Sequence, residues 1–85
     1  MNHSVIWVPK TEQELAEIWL HSSDRLAVTR AAFEIDERLK SNPQEQGESR
    51  SRGRRILICA PLGIIFKVDS EDRKVLVLNV CQTEN

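Results

Sequence analysis

The sequence holds 85 residues with a net charge of −1 at neutral pH, 40% hydrophobic and 29% charged side chains, and two cysteines. A chain of this length is expected to form one domain, 1–85, and it hides only about 60–65% of the surface exposed by its unfolded form, so its core is small. No apolar run approaches the roughly 20 residues of a membrane-spanning helix, and the apolar stretch near the start is too short for a signal peptide, so the cytoplasm is the expected location.

Val5 to Val8 form an apolar run that Pro9 ends, because proline cannot donate to a ladder. This predicts a first strand. Thr11-Glu12-Gln13-Glu14 then has the spacing of a capping box, which predicts a helix start at Thr11. Leu15, Ile18 and Trp19 supply its apolar stripe, and it should stop near His21-Ser22-Ser23. Ser23 or Asp24 can cap a second helix, whose stripe is Val28, Ala31, Ala32, Ile35 and Leu39 and whose end precedes Asn42-Pro43. Leu26 and Phe33 lie on another side of that helix. Packing against the first helix is the expectation for them, with an exposed partner patch as the alternative.

Residues 43–53 are polar and glycine-containing, with nothing apolar to bury, and predict a mobile loop. Three strands are expected after it, at Arg54 to Ala60, Leu62 to Val68 and Lys74 to Val80. The first two should be joined by a type I turn over Ala60-Pro61-Leu62-Gly63. The order strand, helix, helix, strand, strand, strand predicts an α+β domain in which an α-helical hairpin covers a largely antiparallel sheet.

Both sheet faces read as apolar. Regular alternation puts Ile56, Ile58, Ile64, Phe66, Leu76 and Leu78 on one side and Leu57, Cys59, Ile65, Val75 and Val77 on the other. Two helices cover one face only. The second needs the chain's own tail, another copy in a homodimer, or a partner peptide, and Cys81 to Asn85 is too short and polar to serve alone.

Charge is distributed unevenly. Arg50, Arg52, Arg54 and Arg55 concentrate a charge of +4 in six positions, whereas residues 11–48 carry nine acidic and four basic side chains. One reading of the cluster is an anion-binding loop for phosphates or an acidic protein surface; the other is a solvated loop. Cys59 and Cys81 lie in aliphatic runs as expected core thiols, preferred to a disulfide in a reducing compartment. Neither has a CxxC partner and His3 and His21 are distant in sequence, so no metal or cofactor is expected.

Several segments, taken in this order, resemble the RelE/ParE superfamily of bacterial type II toxin–antitoxin toxins. They are Leu39-x-x-Asn42-Pro43, Gly47-Glu48-Ser49-Arg50 leading into Arg55-Ile56-Leu57, the run Pro61 to Asp69, and Asp72 to Val77. The resemblance spans roughly residues 5–80. It implies a RelE/ParE-like toxin domain, growth inhibition, a role in plasmid stabilisation, and an antitoxin that wraps sheet and helices. The superfamily divides between ribosome-associated mRNA endonucleases and inhibitors of DNA gyrase. Its endonucleases commonly carry a basic residue near the start of the central strand, which falls here at about Gly63, and a basic residue with Tyr or His after the last strand, where Cys81, Gln82 and Thr83 stand. The chain has no tyrosine.

RNA cleavage through a ribose 2′-OH needs a base, an acid and cations, and guanidinium supplies only the last. Glu48 is the one carboxylate beside the cluster that could act as a base. The expectation is therefore a toxin that binds rather than cuts, with Arg50, Arg52, Arg54 and Arg55 on the anionic target. Leu57, Ile65, Val75 and Val77, together with Leu26 and Phe33, are expected on the antitoxin. The alternatives are an atypical mRNA endonuclease using Glu48 and a degenerate, non-toxic interaction module.

Overall fold

The computed structural model describes residues 2–83. Strand β1 (Ser4–Trp7) is followed by helices α1 (Pro9–His21) and α2 (Arg25–Ser41), then β2 (Glu48–Ser49), β3 (Arg54–Cys59), β4 (Leu62–Asp69) and β5 (Lys74–Gln82). The sheet order is β1-β5-β4-β3-β2. All pairs are antiparallel except β1 with β5, which run parallel because the helical hairpin carries the chain back before the sheet proper begins. The expected α+β architecture is present, with three short additions at residues 43–53: two 3-10 turns and the two-residue strand β2. No helix among the described residues is long and apolar enough to cross a membrane.

Helix α1 begins two residues earlier than the capping-box spacing predicts. Pro9 occupies its first turn after an extended Val8, and proline lacks the N–H that would be orphaned there. Thr11 is instead fully buried inside the helix, where its hydroxyl has no partner among the described residues. Glu14 turns to Lys10 at 3.2 Å and accepts from the Val80 N–H at 3.4 Å, tying α1 to β5. Helix α2 follows expectation: Asp24 accepts from the Ala27 N–H at 3.1 Å, and the helix stops at Ser41 before Asn42-Pro43.

The core lies between α2 and one sheet face. Val28, Ala31, Ile35 and Leu39 of α2 meet Leu57, Leu62, Ile64, Phe66, Val75, Val77 and Val80. Each large aliphatic or aromatic side chain hidden this way contributes roughly 1.5–3 kcal/mol. Because Leu57 pairs with Ile64 and Arg55 with Phe66, β4 shows the core the opposite parity from β3. The sequence-based grouping of Ile64 and Phe66 with Ile56 and Ile58 is therefore wrong. The turn is the physical reason: Cys59 pairs with Leu62, so Ala60 and Pro61 alone make the connection, across a cis peptide, in place of a type I turn ending at Gly63.

A bulge completes the correction. Ile65 pairs with Asn79 but Phe66 pairs with Val77, leaving Leu78 as the extra residue of β5. That insertion brings Val80 back to the core side beside Val75 and Val77.

Residues 43–53, expected to be a mobile loop, are built from short elements. Pro43 is buried, two 3-10 turns span Pro43–Glu45 and Ser51–Gly53, and β2 pairs with β3. Gly47 permits this pairing: its φ is +68°, and a Cβ there would collide with the Ile56 carbonyl.

Candidate functional site

The four clustered arginines divide into two kinds. Arg50 is tied down: its guanidinium lies 3.1 Å from Glu48 Oε1 and 3.1 Å from the Ser49 carbonyl, while its N–H donates to the Arg54 carbonyl at 2.7 Å. Arg55 is half-buried and donates to two consecutive carbonyls, Gln46 at 2.9 Å and Gly47 at 3.2 Å. It clamps the segment that becomes β2. Arg52 stands at the tip of the 3-10 turn with φ 63°, and Arg54 opens β3 on the face away from the helices. Neither of these two has a side-chain hydrogen bond or ion pair among the described residues.

Arg54 has a neighbour that the sequence did not single out. Lys67 on β4 is its direct cross-strand partner, and both side chains share the outer sheet face. Like charges placed opposite each other in a sheet are mutually unfavourable, and a bound anion reverses that sign. The exposed cations on this sheet face are therefore Arg54 and Lys67, with Arg52 exposed in the turn that precedes β3, where sequence alone proposed four arginines.

The outer face continues into a shallow apolar groove of about 420 Å³, lined by Ile56, Ile58, Ile65, Gly63 and Cys81 and bordered by Asn79. Ile58 is 59% exposed. Of the residues assigned to a partner from sequence, Ile65 lies here. Leu57, Val75 and Val77 are core residues with no surface to offer, a direct consequence of the parity and bulge described above. Leu26 and Phe33, expected to pack on α1, are 59% and 67% exposed instead.

The residues that acid–base chemistry would use are elsewhere or engaged. Glu48 projects into solvent and holds Arg50. His21 is exposed at the end of α1, and His3 lines a polar pocket with Asn42, Ser70 and Arg73. Gly63 sits on the central strand under a filled space: a Cβ would approach Ile58 Cδ1 at 3.0 Å, Thr83 Cγ2 at 3.4 Å and Cys81 Sγ at 3.6 Å. The two thiols are free and on opposite sheet faces. Cys81 is exposed, against the expectation of a core thiol, whereas burial, and secondarily Glu34, pushes the Cys59 thiol pKa up.

A second cavity, of about 600 Å³, lies between α1 and α2. Trp7, Trp19 and Phe33 line it with Leu15, Val28 and Ala32, and Glu12 and Asp36 bring carboxylates to it. Its indoles are held in place. Trp7 donates to Asp36 at 3.0 Å, Trp19 donates to Thr29 at 3.2 Å, and Arg25 stacks 4.7 Å from the Trp19 ring centroid. Arg25 also donates to the Trp19 and Leu20 carbonyls, satisfying the C-terminal end of α1. Sequence reasoning missed this groove because it assigned Trp19 to the core stripe.

No protein-family model matches the sequence, and no curated protein matches it either. Solved structures do. A chain of the toxin–antitoxin complex RelBE2 from Mycobacterium tuberculosis superposes with a TM-score of 0.81 at 15% identity, over 100% of this chain and 95% of that one. A chain of the chromosomal ParDE system of P. aeruginosa gives 0.68 at 22% identity over 96% and 97%, respectively. The archaeal RelE–RelB complex of Pyrococcus horikoshii OT3 gives 0.65 at 14% identity over 96% of each chain. At these identities the likeness is one of fold: this chain has the fold of the chains it superposes on in these toxin–antitoxin complexes.

Proposed function

We propose that this protein is the toxin of a type II toxin–antitoxin pair and that it acts by binding an anionic macromolecular target rather than by cutting it. The observation that carries this reading is the outer sheet face, where Arg54 and Lys67 stand together at one end of a groove of isoleucines. Cations beside an open apolar surface suit a phosphate backbone or an acidic protein surface. They suit equally an acidic antitoxin segment that would neutralise the charge while covering Ile56, Ile58 and Ile65.

Binding is favoured over nuclease action by the geometry around the expected catalytic positions. Gly63 offers no side chain and lies beneath Ile58, Cys81 and Thr83, and the carboxylate nearest the cluster in sequence is paired with Arg50. Arginine stabilises developing phosphorane charge but does not take up a proton at neutral pH. Inhibition of DNA gyrase, as in the ParE branch, is the target class favoured.

Induced expression of the chain without a partner separates the readings. Growth arrest with DNA damage and intact mRNA supports the gyrase reading. Ribosome-dependent mRNA cleavage by the purified protein overturns it in favour of an endonuclease. Unimpaired growth overturns toxicity and leaves a regulatory module. A small reading frame adjoining the gene, whose product relieves the arrest, identifies the antitoxin.

A further inference from the structure

We propose that the polar pocket beside the C-terminal end of α2 binds a small phosphate monoester, its phosphoryl group held by His3, Arg73 and Ser70 and its hydroxylated body by Ser41 and Asn42. His3 alternates with Val5 and Trp7, which pack on the core, so the pocket lies on the helical side of the sheet. It is separate from the outer face and requires neither a toxin role nor a protein partner.

Three stretches far apart in sequence form the pocket: His3 ahead of β1, residues 41–45 at the end of α2, and Ser70 and Arg73 in the connection from β4 to β5. Backbone bonds hold them together. The His3 N–H donates to the Lys40 carbonyl at 2.9 Å, and the Ser4 N–H donates to the Arg73 carbonyl at 2.8 Å. The volume of about 410 Å³ lies within the range of roughly 300–1,000 Å³ typical of formed ligand sites, and it exceeds what a bare phosphate ion fills.

The backbone acceptors around the pocket are already used. The carbonyls of Arg38, Lys40, Asn42 and Pro43 accept from the N–H groups of Asn42, His3, Glu45 and Gln46, and that of Glu37 accepts from the Ser41 hydroxyl. Pairing the carbonyl end of α2 in this way leaves side chains to meet a ligand. The Ser70 oxygen accepts from Gln44 Nε2 at 2.6 Å, so its own proton is directed to a further acceptor. Glu45 is the one carboxylate in the lining among the described residues, and it is exposed, where water and salt screen it. Arg73, His3 and Ser70 come from separate segments. The three oxygens of a phosphoryl group can accept from all of them, whereas a carboxylate has two.

Such a ligand explains two local features. His3 Nδ1 is buried with no hydrogen-bond partner among the described residues, which costs free energy until something pairs with it. Arg73 is held at φ +53°, in the left-handed region that disfavours any residue with a Cβ. A glycine would make that turn with less strain, and a guanidinium is what arginine adds.

Backbone amide NMR on the whole chain locates the binding. The probe is ribose 5-phosphate, compared with its two halves, ribose and inorganic phosphate. The ester should shift the amides of residues 3, 41–42, 44–45 and 70–73 and bind at least about tenfold more tightly than either half. Arg73→Gly keeps the turn and its carbonyl while removing the guanidinium, and His3→Leu removes the unpaired nitrogen. Each should weaken the ester about tenfold, as the loss of one charge-assisted hydrogen bond implies. His3→Leu should also leave the thermal midpoint of the free protein unchanged or higher, because the nitrogen it removes has no partner there.

Inorganic phosphate binding as tightly as the ester reduces the pocket to an ion site and overturns the proposal. Shifts confined to residues 52, 54 and 67 assign the phosphate to the outer sheet face and also overturn it. Full affinity in Arg73→Gly does the same. A lower midpoint for His3→Leu with unchanged ester affinity makes His3 a structural residue and removes it from the site.

Discussion

Arg54 of β3 lies directly opposite Lys67 of β4, and their side chains share the uncovered face of the sheet. Cross-strand neighbours of like charge cost a few tenths of a kcal/mol to about 1 kcal/mol relative to neutral pairs. The free protein therefore carries a small penalty that a bound anion removes. Lys67→Glu should raise thermal stability by roughly 0.5 kcal/mol, by turning repulsion into a cross-strand pair. The same substitution should lower affinity for a polyanion such as heparin or duplex DNA and reduce the salt dependence of that binding by about one counterion equivalent. A gain in stability with a loss in affinity identifies a binding pair; a change in neither returns the cluster to solvated charge.

Arg55 should respond in the opposite way. Its guanidinium holds the Gln46 and Gly47 carbonyls, so Arg55→Gln is expected to destabilise the protein by about 1–2 kcal/mol, measured by denaturant titration. Arg52→Gln should leave stability within about 0.5 kcal/mol, as at other exposed sites, while weakening polyanion binding. Two arginines three positions apart would then separate into a clamp and a contact.

The limits of the sequence are visible in these same residues. Element order, the Asp24 cap and the stop at Asn42-Pro43 were legible because each depends on local chemistry. Which face of each strand meets the helices was not legible. It depends on whether the connection at Pro61 takes two residues and on where β5 inserts its extra one. A signal for the bulge did exist: Val75, Val77 and Val80 are spaced by two and then three. Lys67 was overlooked because its significance comes from Arg54, thirteen positions away, and Trp7 because it meets α2 across the fold.

The corrected faces give a sharp test of packing. Phe66 is fully buried, so Phe66→Ala should cost roughly 3–5 kcal/mol in a domain that has little to spare. Ile58→Ala, on the open face, should cost well under 1 kcal/mol in the free protein. The sequence-based grouping placed both on one face and predicts similar losses. Denaturant midpoints with unchanged m-values distinguish the two arrangements.

Glycine substitutions examine how β2 is held against β3. Gly47 combines a φ of +68° with a backbone carbonyl where a side chain would go, whereas Gly53 has φ +74° and open space around it. Gly53→Ala should cost about 1–2 kcal/mol from left-handed strain alone. Gly47→Ala should cost more, because the Ile56 carbonyl must also move. Since that shift pulls on the carbonyls that Arg55 binds, it should weaken polyanion binding too. Gly53→Ala should alter binding only through the position of Arg52.

The two cysteines make the face assignment chemically readable. Cys81 is exposed on the outer face, while burial and Glu34 raise the Cys59 pKa, so a thiol reagent at neutral pH should modify Cys81 first and Cys59 only slowly. The sign of the linked stability follows from the same shift. Above the ordinary cysteine pKa the unfolded chain releases this proton before the folded one does, so the unfolded state binds fewer protons and stability falls as pH rises. Cys59→Ser should flatten that alkaline decline, although a hydroxyl at a half-buried site lowers stability at neutral pH. If an antitoxin segment covers the groove of Ile58 and Ile65, complex formation should slow modification of Cys81 and leave Cys59 as it was.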